Sequence, residues 1–110
     1  MKSELMTYLV YEIQKSVWRL YDTACCPPEH RTVLTQRIDA LGRALDLCRE
    51  ARGFGEYGNR LRELEEQCGR TMEAVTKAAR ESAVDREKAM HVIDLCQALI
   101  TWIQKQPGTI

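Results

Sequence analysis

The sequence predicts an all-α protein: an antiparallel up-down-up-down four-helix bundle, folded as a single domain over residues 1–110. Three observations lead there. Apolar residues recur at alternating steps of four and three in four separate stretches, the period of a helix with one buried face. Breaking or capping signals stand between the stretches: Pro27–Pro28, the glycines of "GFGEYGN", and Ser82 with Asp85. Composition agrees, since Ala, Leu, Arg and Glu dominate while aromatic residues make up only 6%.

The first helix carries the seam Met6, Val10, Ile13, Val17, Leu20 and Ala24. Pro27 and Pro28 break it, because proline lacks an N–H donor and disfavours helix in the residue before it. A second helix begins within Pro28–Thr32, proline being tolerated in a first turn. Its seam is Leu34, Ile38, Leu41, Leu45 and Cys48, flanked by Ala40, Ala44, Leu47 and Ala51. Gly53 is read as the C′ residue that ends it, and "GFGEYGN" as a flexible turn.

The third seam is Leu61, Leu64, Cys68, Thr71, Val75 and Ala78, with Met72 beside it. Ser82 followed by Asp85 reads as an N-cap with an acidic N3 residue. The helix it opens shows Ala89, Val92, Cys96, Leu99 and Ile103, widened by Ile93 and Ile100, and stops at Pro107–Gly108. Each helix has roughly 20 residues, about 30 Å. Connections of about 3 to 8 residues make neighbours antiparallel.

Net charge is zero, whereas an autonomous nucleic-acid binder carries an excess of Lys and Arg. Only residues 31–52 lean basic. No run of 18 apolar residues spans a membrane. The N-terminal "MKSELMTYLVYEIQ" interrupts its apolar stretch with carboxylates, unlike a signal peptide, so a cytoplasmic location is expected. Five cysteines, an odd number, give no complete disulfide framework and are expected to be thiols in a reducing compartment.

Several residues invite chemistry. Cys48, Cys68 and Cys96 fall on three seams and suggest a three-thiolate metal site; zinc, however, wants about four ligands at matched depth. Buried cysteine packs as a small hydrophobe, and core packing is the preferred reading. In "TACCPPEHRTVL", Cys25, Cys26 and His30 resemble a metal or thiol site. Adjacent cysteines chelate poorly, and Arg31 alone makes a weak electropositive setting, so a helix–helix turn is preferred. His91 lies one step off the fourth seam, as a surface or boundary residue. No Ser-His-Asp set, phosphate-cradling glycine loop or ExxH motif occurs. No catalytic residue, metal ligand, cofactor or small-molecule substrate is therefore assigned.

Aromatic placement is more informative. Tyr11 and Trp18 stand seven residues apart on the first helix, with Tyr21 nearby; Leu95 and Trp102 repeat that spacing on the fourth. The three on the first helix lie about 60–140° off its seam. Either they widen the core or they form a patch buried against another subunit.

Two segments bear a family resemblance. "CPPEHRTVLTQRIDALGRALDLCREA" resembles the turn and second helix of the accessory (Avd) proteins of diversity-generating retroelements, relatives of bundle proteins encoded in rRNA intervening sequences. Pro28, His30, Arg31, Leu34, Arg37 and Ile38 stand in that family's pattern of a proline, a basic or polar pair, then L-x-x-R-hydrophobic. "SAVDREKAMHVIDLCQALITWIQKQ" resembles the family's last helix, with Leu99, Trp102 and Ile103 at its ending.

The resemblance spans about residues 8–105 and implies a homo-oligomer, pentameric in the family, that binds a reverse transcriptase and its template RNA without catalysis of its own. Under it, Arg31, Arg37, Arg43, Arg49, Arg52 and Arg60 are the candidates for nucleic-acid or partner binding, with Arg62 beside them. One departure stands out: nucleic-acid-binding members are basic and this chain is neutral, so the arginines would have to segregate onto one face. The rival expectation, from another class, is a protein-only interaction module, such as a small regulator or mobile-element or phage inhibitor, acting through the off-seam aromatics.

Overall fold

The computed structural model of the chain describes residues 2–106, with Lys2, Ser3 and Phe54 described by backbone alone. Four helices follow in order: α1 (Lys2–Tyr21), α2 (Pro28–Glu50), α3 (Phe54–Glu81) and α4 (Arg86–Gln104). Among the described residues there is no strand. The connections, residues 22–27, 51–53 and 82–85, only allow each helix to double back on the last. α1 packs on α2 and α4, and α3 packs on the same two, while the diagonals barely touch. The result is the predicted four-helix bundle, 44 × 21 × 20 Å overall. Its long dimension matches α3, whose 28 residues give about 42 Å at 1.5 Å per residue.

The seams form the core. Met6, Val10, Ile13, Val17 and Leu20 of α1 are fully buried and meet the seams of α2, α3 and α4, all of them buried too. Thr71 is the polar member of the α3 seam, and its hydroxyl donates to the Gln67 carbonyl at 2.8 Å, which satisfies that donor in the interior. Truncating one of the large core residues, Leu64 or Leu41 for instance, removes about 2–5 kcal/mol.

The structure departs from the sequence reading at the helix ends. Ala24 is exposed and outside the first seam, because α1 ends at Tyr21, where the Thr23 hydroxyl donates to the Leu20 carbonyl at 3.1 Å. "GFGEYGN" is not a flexible turn but the first turns of α3. Gly55 and Gly58 each weaken a helix by about 0.5–1 kcal/mol. Tyr57, half-buried against the core, supplies the compensating burial, and its N–H reaches the Gly53 carbonyl at 2.8 Å. Gly53 is accordingly the N-cap of α3, not the C′ residue of α2; its φ of −131° is extended, not left-handed.

Asp85, not Ser82, takes the N-cap role, and Ser82 ends the preceding helix. Ser82 closes α3, its N–H donating to the Ala78 carbonyl at 3.0 Å and its hydroxyl turning to the same oxygen. Asp85 is the N-cap of α4, accepting from the N–H groups of Glu87 at 2.9 Å and Lys88 at 3.4 Å. α4 ends at Gln104; the expected stop at Pro107–Gly108 lies outside the described residues.

Candidate interaction surface

The turn that begins "TACC" is built around Arg31. Its Nε donates to the Cys26 carbonyl at 2.8 Å and its Nη2 to the Thr23 carbonyl at 3.1 Å, tying down a connection that has no side-chain cap on α2. Cys26 points inward and is buried, while its neighbour Cys25 is exposed. Burial raises the Cys26 thiol above its ordinary value, against the opposing pull of Arg31. His30 is buried at the start of α2, its Nε2 lying 3.7 Å from the Glu81 carboxylate at the end of α3. Cys26 and His30 are therefore packed inward at the junction of α1 and α2, while Cys25 faces out.

The core thiols do not share one depth. Cys68 lies close enough to Cys96 for a charge there to raise the Cys68 thiol, whereas Cys48 neighbours Tyr57, Arg60 and Glu63. Burial pushes Cys48 up to about 11 and Cys96 up to about 12, and it raises Cys68 further still. Such groups are neutral at physiological pH and pack as hydrophobes. Among the described residues no group of three or more His, Cys, Asp or Glu is placed to hold a metal ion.

The six candidate arginines do not converge. Arg31 is half-buried in the turn, as described. Arg37, Arg43 and Arg49 follow it at steps of six residues, about 240° apart around the helix, so successive members face different sides. Arg43, Arg49 and Arg52 are exposed. Arg60, on α3, lies 3.8 Å from Glu56 and 3.8 Å from Glu63. What gathers positive charge instead is a shallow groove between α2 and α3, where Arg37 meets Arg70 and Lys77. Glu73 lines the same groove, and Arg70 is paired with Glu66 at 2.7 Å.

The five candidate aromatic and apolar residues divide differently. Tyr21 is buried, 7% exposed, and Leu95 and Trp102 are half-buried against the core. Tyr11 and Trp18, by contrast, are 53% and 54% exposed, and Tyr8 joins them at 57%. Tyr8 stands three residues before Tyr11, so the helical period alone places it on the same face. Trp18 is not loose: its ring packs on Tyr21, with centroids 4.9 Å apart and planes tilted by 40°. The outer face of α1 therefore presents three large aromatic side chains, one of them braced from below.

Among the described residues no helix is long and apolar enough to cross a membrane. No known protein family, curated protein or solved structure matches the chain.

Proposed function

We propose that this chain is a non-enzymatic interaction module whose working surface is the aromatic outer face of α1. One observation carries the reading. Tyr8, Tyr11 and Trp18 are half in solvent on a helix whose opposite face already fills its share of the core. Widening the core would have buried them. Exposed Tyr and Trp grouped on one rigid element are what protein interfaces use as anchors. A cytoplasmic setting belongs to the same proposal, since an odd number of thiols suits a reducing compartment.

The test is a pair of variants compared for folding and for association. Trp18→Ser keeps the helical circular dichroism and thermal transition within a few degrees, because the residue contributes little to the core, and loses association. Reversal of charge at Arg37 and Lys77 leaves association unchanged. If the second variant, not the first, abolishes association, the working surface lies elsewhere.

A second reading, that of an oligomeric accessory to a reverse transcriptase and its template RNA, draws support from the α2–α3 groove. There Arg37, singled out by the family resemblance, stands with Arg70 and Lys77. Two or three cations on a single-stranded RNA give a salt slope of only about −1.4 to −2.1 in log K against log salt. The double reversal R37E/K77E would flatten that slope; RNA binding that ignores salt would end this reading.

A further inference from the structure

We infer that the occupant of this α1 face is a second copy of the same chain, packed antiparallel about a two-fold axis level with Ile13. The inference rests on the interaction-module reading and names its partner. The exposed residues Glu4, Tyr8, Tyr11, Lys15, Trp18 and Asp22 follow one another at steps of four, three, four, three and four. Asp22 stands in the turn just past the end of α1, its N–H donating to the Trp18 carbonyl at 3.0 Å. Together the residues form a stripe about 80° wide at 3.6 residues per turn, on the side of α1 away from Met6, Val10, Ile13 and Val17. This is the spacing of a coiled-coil seam, repeated on the outside of a helix that already has one inside.

The order of chemistry along the stripe points to self-pairing. It runs acid, aromatic, Tyr, Lys, aromatic, acid. A two-fold interface requires that whatever residue i meets in residue j, residue j meets in residue i. Laid against its own reverse, the stripe sets Tyr8 on Trp18 of the second copy and Lys15 on Tyr11 of the second copy, each pairing occurring twice. The first is an aromatic pair and the second places an ammonium against a ring face, both favourable contacts. Parallel packing would instead set Lys15 on Lys15, while the acids meet acids in either orientation. Antiparallel packing confines like charge to Glu4 and Asp22 at the solvent-exposed ends, where salt screens it. Lys15 is held at 3.2 Å by Glu12, but an exposed pair of this kind is worth well under about 1 kcal/mol and gives way readily.

Two further features fit. Trp18 is braced by Tyr21, so little rotamer freedom remains to be lost on docking. The area suits a small, reversible dimer. Three aromatics, each about half exposed, offer roughly 300 Å² per protomer, from about 150–250 Å² for a whole side chain. The stems of Lys15, Glu12 and Arg19 bring the face toward the low end of specific interfaces, about 600 Å² per partner.

Sedimentation of the purified chain over a concentration series tests the inference. A reversible step from 12.7 kDa to twice that mass is expected, with the dissociation constant raised about 30-fold or more by Trp18→Ser. Orientation is read from cross-linking in a Cys25→Ser background. Glu4→Cys and Asp22→Cys, at the ends of the stripe, form a disulfide-linked dimer when mixed and not when either is oxidised alone. Cross-linking of each variant alone would mean parallel packing and overturn the inference. So would a chain that stays monomeric at every concentration. A monomer that still forms a Trp18-dependent complex with another protein overturns the self-pairing while leaving the interaction-module reading intact.

Discussion

Arg31 shows how one side chain can look functional in sequence and turn out to organise a fold. Its guanidinium spans two carbonyls three residues apart, those of Thr23 and Cys26, on the far side of a double proline that supplies no cap. A planar fork can satisfy both acceptors at once; an ammonium on a flexible stem satisfies them one at a time. Arg31→Ala is therefore expected to destabilise the bundle by about 2 kcal/mol, the scale of losing charge-assisted bonds to partly buried acceptors. Arg31→Lys recovers less than half of that. Denaturant midpoints of the three proteins check it. If Arg31→Ala leaves the midpoint unmoved, the turn holds without its clamp, and Arg31 returns to the list of candidates for partner binding.

At the scale of the helix, what could be read from sequence was the interior and what could not was the ends. Periodicity reports which face is buried, and every seam residue but Ala24 is buried as its spacing implies. Ends depend on competition between neighbours. Ser82 and Asp85 are both good cap residues three apart, and either could open α4. The choice fell to Asp85 because Ser82 was already engaged four residues back with the Ala78 carbonyl, as the closing residue of the long helix α3. The glycines of "GFGEYGN" misled for a related reason: the helix forms there because Tyr57 reaches the core, although its propensity is poor. The candidate surface was legible in part. Tyr11 and Trp18 face outward, one of the two outcomes their offset from the seam left open, but six-residue arginine steps scatter charge around α2, which their spacing already implied. The cap assignment has a direct check. Asp85→Ala should cost about 1 kcal/mol of stability through two orphaned N–H groups at the start of α4. Ser82→Ala, in contrast, should cost at most a few tenths, since the Ser82 N–H closes α3 without the hydroxyl. The reverse ranking of thermal midpoints would place the helix start at Ser82.

Over the whole molecule, the buried thiols tie stability to pH, because Cys48, Cys68 and Cys96 belong to three different helices facing one interior. In the unfolded chain each releases its proton near the ordinary value of 9.0; in the bundle, burial holds Cys48 to about 11, Cys96 to about 12 and Cys68 higher again. Below pH 9 both states keep these protons, and the thiols add no pH dependence. Between pH 9 and 11 the unfolded state gives them up while the native state retains them, so the unfolded state binds fewer protons and stability falls as pH rises. The slope is about 1.4 kcal/mol per pH unit for each thiol, or about 4 for three, easing once Cys48 itself ionises near pH 11. Against a total of about 5–15 kcal/mol for a domain, that loss removes a large share of the bundle's stability over about two pH units. Lysines and tyrosines titrate in the same range, and Tyr57, also raised by burial, adds to the trend. A variant with Cys48, Cys68 and Cys96 all changed to Ala isolates the thiol share. It should begin less stable at pH 7, having lost packing, and then lose stability more slowly between pH 9 and 11, so that the two denaturation curves converge. Parallel curves would mean that the thiols ionise in the folded chain as readily as in the unfolded one, and that these positions admit water.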